Sequence, residues 1–339
     1  MREVIETLCA GTSLAQPAIQ EVFEHVLAGE VSEIELSALL VALKAKGESP
    51  AEIAGAAQAM RAAATPLEHQ QALTVDSCGT GGDGSSTVNI STAVAVVVAE
   101  AGLAVVKHGN RSISSKCGSA DVLQLCGINI EAGPEVALRC LSEERICFLF
   151  APRYHAAMRH AMPVRRALRT RTIFNLLGPL TNPAQPRVQL VGVYDPALCQ
   201  PLAETLGLLG CEQALVVHGS GLDEIAVHGP TKAARLHHGV VELMQLTPEQ
   251  AGLKTHPLAA LAGGEPEDNA RWLQRLLGGQ GSKAQNHAVA INAGALLWIA
   301  GAAESHREGV QQALETIAGG GARARLQRWG TLSHQGAPS

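Results

Sequence analysis

Cys78-Gly79-Thr80-Gly81-Gly82-Asp83-Gly84 opens the stretch, residues 75–121, whose reading decides the fold. Four glycines fall between Gly79 and Gly84, so backbone N–H groups can crowd round a ligand with no Cβ in the way. Turns of this kind cradle phosphate. Residues 72–75 predict a short strand, residues 90–99 a buried helix, and residues 103–106 a second strand. The second strand runs into Lys107-His108-Gly109-Asn110-Arg111, a cationic turn that also contains glycine. Two polar turns at the ends of neighbouring strands of one βαβ unit mark the place where open parallel sheets bind ligands.

Upstream, residues 1–70 read as helices throughout. Ile19, Val22, Phe23, Val26 and Leu27 share one helical face that Gly29 terminates. Ser32 and Glu35 form a capping box ahead of Leu36, Leu39, Leu40 and Leu43. Pro50 starts a third helix. Lys44 and Lys46 close the preceding helix, where cations suit the helix dipole better than they argue for a phosphate contact.

Downstream, a helix is expected from Ser119, strands at residues 128–130 and 147–150, and a helix at 134–141. A basic stretch, residues 159–171, holds Arg165, Arg166, Arg169 and Arg171 and leads into the apolar turn mixture of residues 175–183. It reads equally as a solvated helix face or as a source of one ligand-binding arginine. Strands at 188–194 and 214–218 flank a helix near 197–209. The second of these ends in Gly219-Ser220-Gly221-Leu222-Asp223-Glu224, a glycine turn that presents adjacent carboxylates and is a candidate metal site. Helices at 266–277, around 287–301 and from Ser305 follow, then a short final turn and an expected disordered tail at 333–339.

Bulk composition narrows the function. With 46% hydrophobic residues in 339, the chain can bury a sizeable core, and 3% aromatics make that core one of Ala, Val and Leu. A formal net charge of −5 argues against nucleic-acid and membrane-surface binding. No apolar signal core follows Met1, and the run at residues 288–303 is interrupted by Asn292 and shorter than the about 20 residues that span a bilayer. A soluble, cytoplasmic protein is expected. The eight cysteines include no Cys-x-x-Cys pair, so zinc and redox readings are weak.

Gly79, Gly81 and Gly84 match G-x-G-x-x-G after a strand, which makes a dinucleotide site a competitor. Such a site wants an acid at the end of the second strand, where this chain has Lys107-His108, and Asp83 inside the turn would repel a bare pyrophosphate. No Gly-Lys-Ser/Thr closes the turn as a Walker loop would. A glycine turn with an acid, hydroxyls at Ser91 and Thr92, a cationic second turn and a remote Asp-Glu pair suit a polyanion with a ribose and a divalent metal. Phosphoribosyl pyrophosphate has all three.

Gly79-Thr80-Gly81-Gly82-Asp83, Asn89-Ile90-Ser91-Thr92, Lys107-His108-Gly109-Asn110-Arg111-Ser112, Gly118-Ser119-Ala120-Asp121, Pro163-Val164-Arg165-Arg166, residues 171–183 and Gly221-Leu222-Asp223-Glu224 together resemble the anthranilate phosphoribosyltransferase family. The similarity runs from about residue 15 to 330. It implies transfer of phosphoribose to the amine of anthranilate, with release of pyrophosphate, in tryptophan biosynthesis. The implied fold is α/β: a small all-helical N-terminal domain plus a larger α/β domain with a mostly parallel central sheet flanked by helices. Residues 1–70, with a return segment near 163–183, would be the helical domain through which a homodimer forms, and 73–162 with 184–330 the substrate- and metal-binding domain.

By the same resemblance, Gly79, Gly82, Asp83, Thr87, Asn89, Ile90, Ser91, Thr92, Lys107, His108, Gly109, Asn110, Arg111, Ser112, Ser115 and Ser119 would hold phosphoribosyl pyrophosphate. Gly79, His108, Asn110, His155 and Arg165 would hold anthranilate, with Lys107, Asn110 and Arg165 in catalytic roles. Ser91, Asp223 and Glu224 would hold Mg²⁺, two ions per subunit. The chain departs from the usual pattern at Cys117 (serine is common), Cys147 (glycine), Ala156 (proline) and Arg169-Thr170 (Gly-Ile). A pyrimidine nucleoside phosphorylase of related fold, or a non-catalytic nucleic-acid-binding relative, is the alternative.

Overall fold

The structure, a computed structural model, describes residues 1–112 and 117–336. Four helices come first: α1 (Arg2–Cys9), α2 (Gln16–Ala28), α3 (Glu33–Lys46) and α4 (Pro50–Ala62). Capping boxes start α3 at Ser32 and Glu35 and α4 at Ser49 and Glu52, and Gly29 ends α2 at a left-handed φ of 79°. Glu52 is fully buried, yet its carboxylate accepts from Leu14 N–H at 3.0 Å, Ser49 N–H at 2.8 Å and Lys46 Nζ at 2.8 Å. These bonds offset the cost of taking its charge out of water.

One sheet follows, in spatial order β3-β2-β1-β4-β5-β6-β7. Its strands are β1 (Val75–Gly79), β2 (Val105–Gly109), β3 (Ile146–Phe150), β4 (Val188–Gly192), β5 (Gln213–Gly219), β6 (Thr231–His237) and β7 (Val240–Leu246). The first five are parallel and the last two pair antiparallel. The chain leaves β1 toward β2 and β3, then returns to its other side as β4. The order therefore reverses between β1 and β4, and the crevice at their C-terminal ends is the switch point where such sheets bind ligands.

Between the first strands run α5 (Ile90–Glu100), α6 (Ser119–Leu125) and α7 (Pro134–Glu144). After β3 come α8 (Ala151–Tyr154), α9 (Met162–Leu168) and α10 (Phe174–Leu177); α11 (Cys199–Leu208) joins β4 to β5. The chain closes with α12 (Pro266–Leu277), α13 (Lys283–Ile299), α14 (His306–Gly319) and α15 (Gly321–Ser333). Alternation along the strands decides what each face meets. Leu215 and Val217 join a core with α5 and α12 to α15, whereas Ala214 and Val216 join a second core with α11 and the N-terminal helices. Val164, Ile173, Phe174, Leu176 and Leu177 belong to that second core, so residues 164–177 pack with α2, α3 and α4.

Several elements differ from the sequence reading. β1 starts at Val75 and runs through Asp76 and Ser77, and β2 includes Lys107, His108 and Gly109, which had been placed in turns. The apolar run is only the lead-in; the polar residues continue each strand because they satisfy one another beneath the site. Asn182 Nδ2 donates to Asp76 Oδ2 at 2.9 Å and to the Val106 carbonyl at 2.7 Å, while Lys107 Nζ donates to the Ser77 carbonyl at 2.8 Å. Residues 128–130 form a turn rather than a strand. The hairpin β6–β7 was not anticipated: its strands mix charges with apolar residues, and its turn has Gly239 at φ 80°. The expected short final turn is the helix α15, and Ser333 is buried at its end, donating to the Gly330 carbonyl at 2.7 Å.

Candidate active site

At the switch point the acidic turn closes over the glycine turn. Asp223 Oδ2 accepts the Gly81 N–H at 2.8 Å, and Glu224 Oε1 accepts the Ser91 N–H at 3.1 Å. Residues more than 130 positions apart are thus joined by their main chains. Glycine is required for the approach. A Cβ at Gly79 would lie 2.2 Å from Asp223 Oδ2, and one at Gly192 would lie 1.5 Å from the Asp223 carbonyl oxygen. Gly81, Gly82 and Gly84 have φ of 68°, 77° and 74°, the left-handed region in which a Cβ is costly.

Three carboxylates meet there. Asp83 takes hydrogen bonds from Ser85 N–H at 3.0 Å and Ser85 Oγ at 2.7 Å, and its charge faces Asp223. Burial, and then Asp83, push the Asp223 carboxyl up to about 7. Burial and the neighbouring Asp223 push Glu224 well above the usual carboxylate range. Acids held at such cost with few donors are the mark of a cation site. Among the described residues no three His, Cys, Asp or Glu side chains form a self-contained metal cage. Magnesium does not need one, since it takes one or two carboxylates and completes its shell with water and substrate phosphates. The donor set of Asp223, Glu224 and Ser91 fits such an ion.

Lys107 lies beneath the turns with 2% exposure. Its strand position corrects the expectation of a cationic turn there, and its charge is felt by both Asp76 and Glu224. Beside it, His108 Nδ1 donates to the Gly178 carbonyl at 3.2 Å, and the His108 and His155 rings meet edge-on at 5.2 Å between centroids. Burial lowers His108 to about 3 and His155 to about 4. Both rings are neutral at physiological pH, and each keeps a buried Nε2 with no partner among the described residues.

Arg165, on α9, is half-buried with its guanidinium 5.3 Å from the Phe174 ring centroid. Burial lowers its pKa, and among the described residues no carboxylate pairs with it. A desolvated guanidinium with free donors suits a planar carboxylate.

The remaining expected residues fall into two groups. Gly109 lies where a Cβ would be 2.3 Å from Ser119 Oγ, and Ser119 Oγ donates to the Asn110 carbonyl at 3.4 Å, so this second turn is tightly folded. Ser112 N–H donates to Asp121 at 3.3 Å. By contrast, Arg111 is taken up by Asp121 at 2.8 Å and Gln124 at 2.7 Å. Asn89 is bonded to the Cys117 carbonyl and to Asn269. Thr87 pairs with Ala262 in a β-bridge, Ile90 is a buried core residue, and the Thr92 hydroxyl is buried with no partner among the described residues. Ser115 lies outside the described residues. Asp76, Asn182 and Arg171 were not singled out as site residues. Asp76 could have been found from its charge in a strand of small residues; Asn182 gave no signal beyond its place in a turn-forming stretch.

Residues 2–64 match the model of the glycosyl transferase family helical bundle domain, and residues 71–323 that family's a/b domain. The anthranilate phosphoribosyltransferase of Sorangium cellulosum is 58% identical over 99% of this chain and 97% of its own length. The chain belongs to the anthranilate phosphoribosyltransferase family. The crystal structure of the Thermus thermophilus member superposes with a TM-score of 0.93 at 44% identity, over 97% of this chain and 99% of that one. Structures of the Saccharomyces cerevisiae member in complex with PRPP and Mg, and with 4-fluoroanthranilate, superpose with TM-scores of 0.87 at 26% and 25% identity. Each covers 98% of this chain and 97% of the yeast chain. The helical bundle and the mostly parallel sheet described above are this family's architecture.

Proposed function

We propose that the protein transfers the phosphoribosyl group of 5-phosphoribosyl 1-pyrophosphate to the amine of anthranilate, giving N-(5-phosphoribosyl)anthranilate and pyrophosphate, a step of tryptophan biosynthesis. The observation that carries this reading is the closure of the acidic turn on the glycine turn, with Asp223 Oδ2 on Gly81 N–H at 2.8 Å. It supports a cation site beside a phosphate cradle at the switch point of the sheet.

In this mechanism the glycine turn, Asn110 and Ser119 orient the sugar diphosphate. Arg165 grips the anthranilate carboxylate with paired hydrogen bonds. The anthranilate amine is uncharged at neutral pH, so no strong base is needed. The neutral rings of His108 and His155 suit that demand, lining the aromatic side without taking its proton. The new C–N bond forms at the anomeric carbon as the C–O bond to pyrophosphate breaks, and the amine then gives up one proton. Lys107 adds positive potential from below the turn, and the loop N–H groups stabilise the leaving pyrophosphate. Ser91, Asp223 and Glu224 would hold magnesium, two ions per subunit, which would neutralise charge on the departing group.

A cytoplasmic homodimer joined through the N-terminal helices belongs to the same reading. It is supported by Ile34 and Val41, which stand exposed on α3, and by the absence, among the described residues, of a helix long and apolar enough to cross a membrane. A nucleoside phosphorylase would not need the buried acid pair. The test follows anthranilate fluorescence on mixing protein, phosphoribosyl pyrophosphate and Mg²⁺. Fluorescence should fall with metal and persist with a chelator; fluorescence that persists in both rejects the reading. In the same assay Asp223→Asn with Glu224→Gln should move the Mg²⁺ titration to higher concentration.

A further inference from the structure

The segment between α9 and α10 carries a second arginine with a contact pattern unlike that of Arg165. The Arg171 guanidinium donates to the Gly82 carbonyl, inside the glycine turn and 89 residues earlier in the chain. Its plane lies over the Tyr194 ring, 3.9 Å from the centroid. Tyr194 follows β4, and its N–H donates to Thr80 Oγ1 at 3.2 Å, so the ring that supports the guanidinium is itself fastened to the turn. One residue before Arg171, Thr170 takes a hydrogen bond from Lys44 at the C-terminal end of α3. The glycine turn is thus pinned on one side by Asp223 and on the other by Arg171, and Arg171 belongs to the segment that packs with the N-terminal helices.

A turn with Gly81, Gly82 and Gly84 at positive φ has little intrinsic preference for one shape. Something must hold it for its N–H groups to converge before the ligand arrives. Arg171 does so from the same short stretch that presents Arg165, six positions earlier. We propose that Arg171 is a positioning residue that latches the phosphate-binding turn to the Arg165 segment, so that the two halves of the cleft are set together. This rests on the transfer reading for its consequence in catalysis, but the latch itself exists in the free protein.

Two measurements test it. In the free protein, Arg171→Ala should speed amide hydrogen exchange at residues 81–86 by about tenfold, the size expected for loss of one charged hydrogen bond, while exchange in α13 stays as in the wild type. In the fluorescence assay the same variant should raise the Michaelis constant for phosphoribosyl pyrophosphate about tenfold or more, with a much smaller rise for anthranilate. Arg171→Lys keeps a donor for the Gly82 carbonyl but loses the flat stack on Tyr194, and should recover part of the loss. Tyr194→Leu should move exchange and Michaelis constant in the same direction by less. Unchanged exchange at 81–86 overturns the latch even if catalysis suffers, because that result means the arginine acts on substrate directly. Equal rises in both Michaelis constants overturn it as well. If the wild type consumes no anthranilate, the transfer reading fails and the exchange measurement still decides the latch.

Discussion

On the sheet side of the cleft, Asp83, Asp223 and Glu224 crowd together, the last two held by main-chain N–H groups and raised in pKa by burial. On the side packed with the N-terminal helices, Arg165 lies half-buried over Phe174, with the neutral rings of His108 and His155 also buried in the cleft wall. The first wall is assembled from backbone and leaves no room for a Cβ at Gly79 or Gly192. The second is assembled from side chains with spare donors. The difference teaches where each kind of specificity would be kept under the proposed reaction: the polyanion would be read by shape and metal, the aromatic acid by one guanidinium.

The sharpest way to break the first wall is Gly192→Ala. Its Cβ would stand 1.5 Å from the Asp223 carbonyl oxygen, so the acidic turn must move off the glycine turn. Activity is expected to fall at least about a hundredfold, and the Mg²⁺ titration to shift upward, as read from steady-state rates at several metal concentrations. The matching change on the second wall is Arg165→Ala. The loss of paired charged hydrogen bonds, about 2–3 kcal/mol, should raise the Michaelis constant for anthranilate about thirtyfold or more and leave that for phosphoribosyl pyrophosphate within about threefold. Equal effects would remove Arg165 from the carboxylate.

Acid should loosen the second wall. His155 is held near 4, below its ordinary 6.5, because burial disfavours its charged form. The unfolded chain therefore binds the proton first, so the stability this ring contributes is complete above about 6.5 and is lost as pH falls toward 4. The thermal midpoint should drop further between pH 7 and pH 4 in the wild type than in His155→Gln, as followed by circular dichroism. The smallest effect is expected at the edge of this wall. Arg169 caps α9 at φ 46° and ψ 32°, the left-handed conformation that favours glycine. Arg169→Gly should stabilise the protein by about 1 kcal/mol, seen as a rise of a few degrees in the melting midpoint.

The same contrast explains what could be read from the residues alone. The glycine turn and the Asp223-Glu224 pair announce themselves because their chemistry is local in sequence, and they meet through Gly81 and Ser91. Arg165 needed the family resemblance, since a basic stretch reads the same on an exposed helix. Lys107 and His108 were misplaced because apolar runs mark strands well only where both faces are greasy. Here the strands continue through residues satisfied by Asn182, Ser77 and Gly178 from distant segments. The β6–β7 hairpin is hidden because its pattern of mixed charges carries no clean period, and the role of Arg171 because its partners are a main-chain carbonyl and a ring that no local pattern ties to it.

Asn182 bridges β1 and β2 through Asp76 and Val106 and accepts the Ala184 N–H at 3.0 Å. This fastens the chain to the sheet at one point just after the arginine-bearing segment. One amide thus marks the point at which the chain passes from the side of the cleft packed with the N-terminal helices into the frame of the sheet.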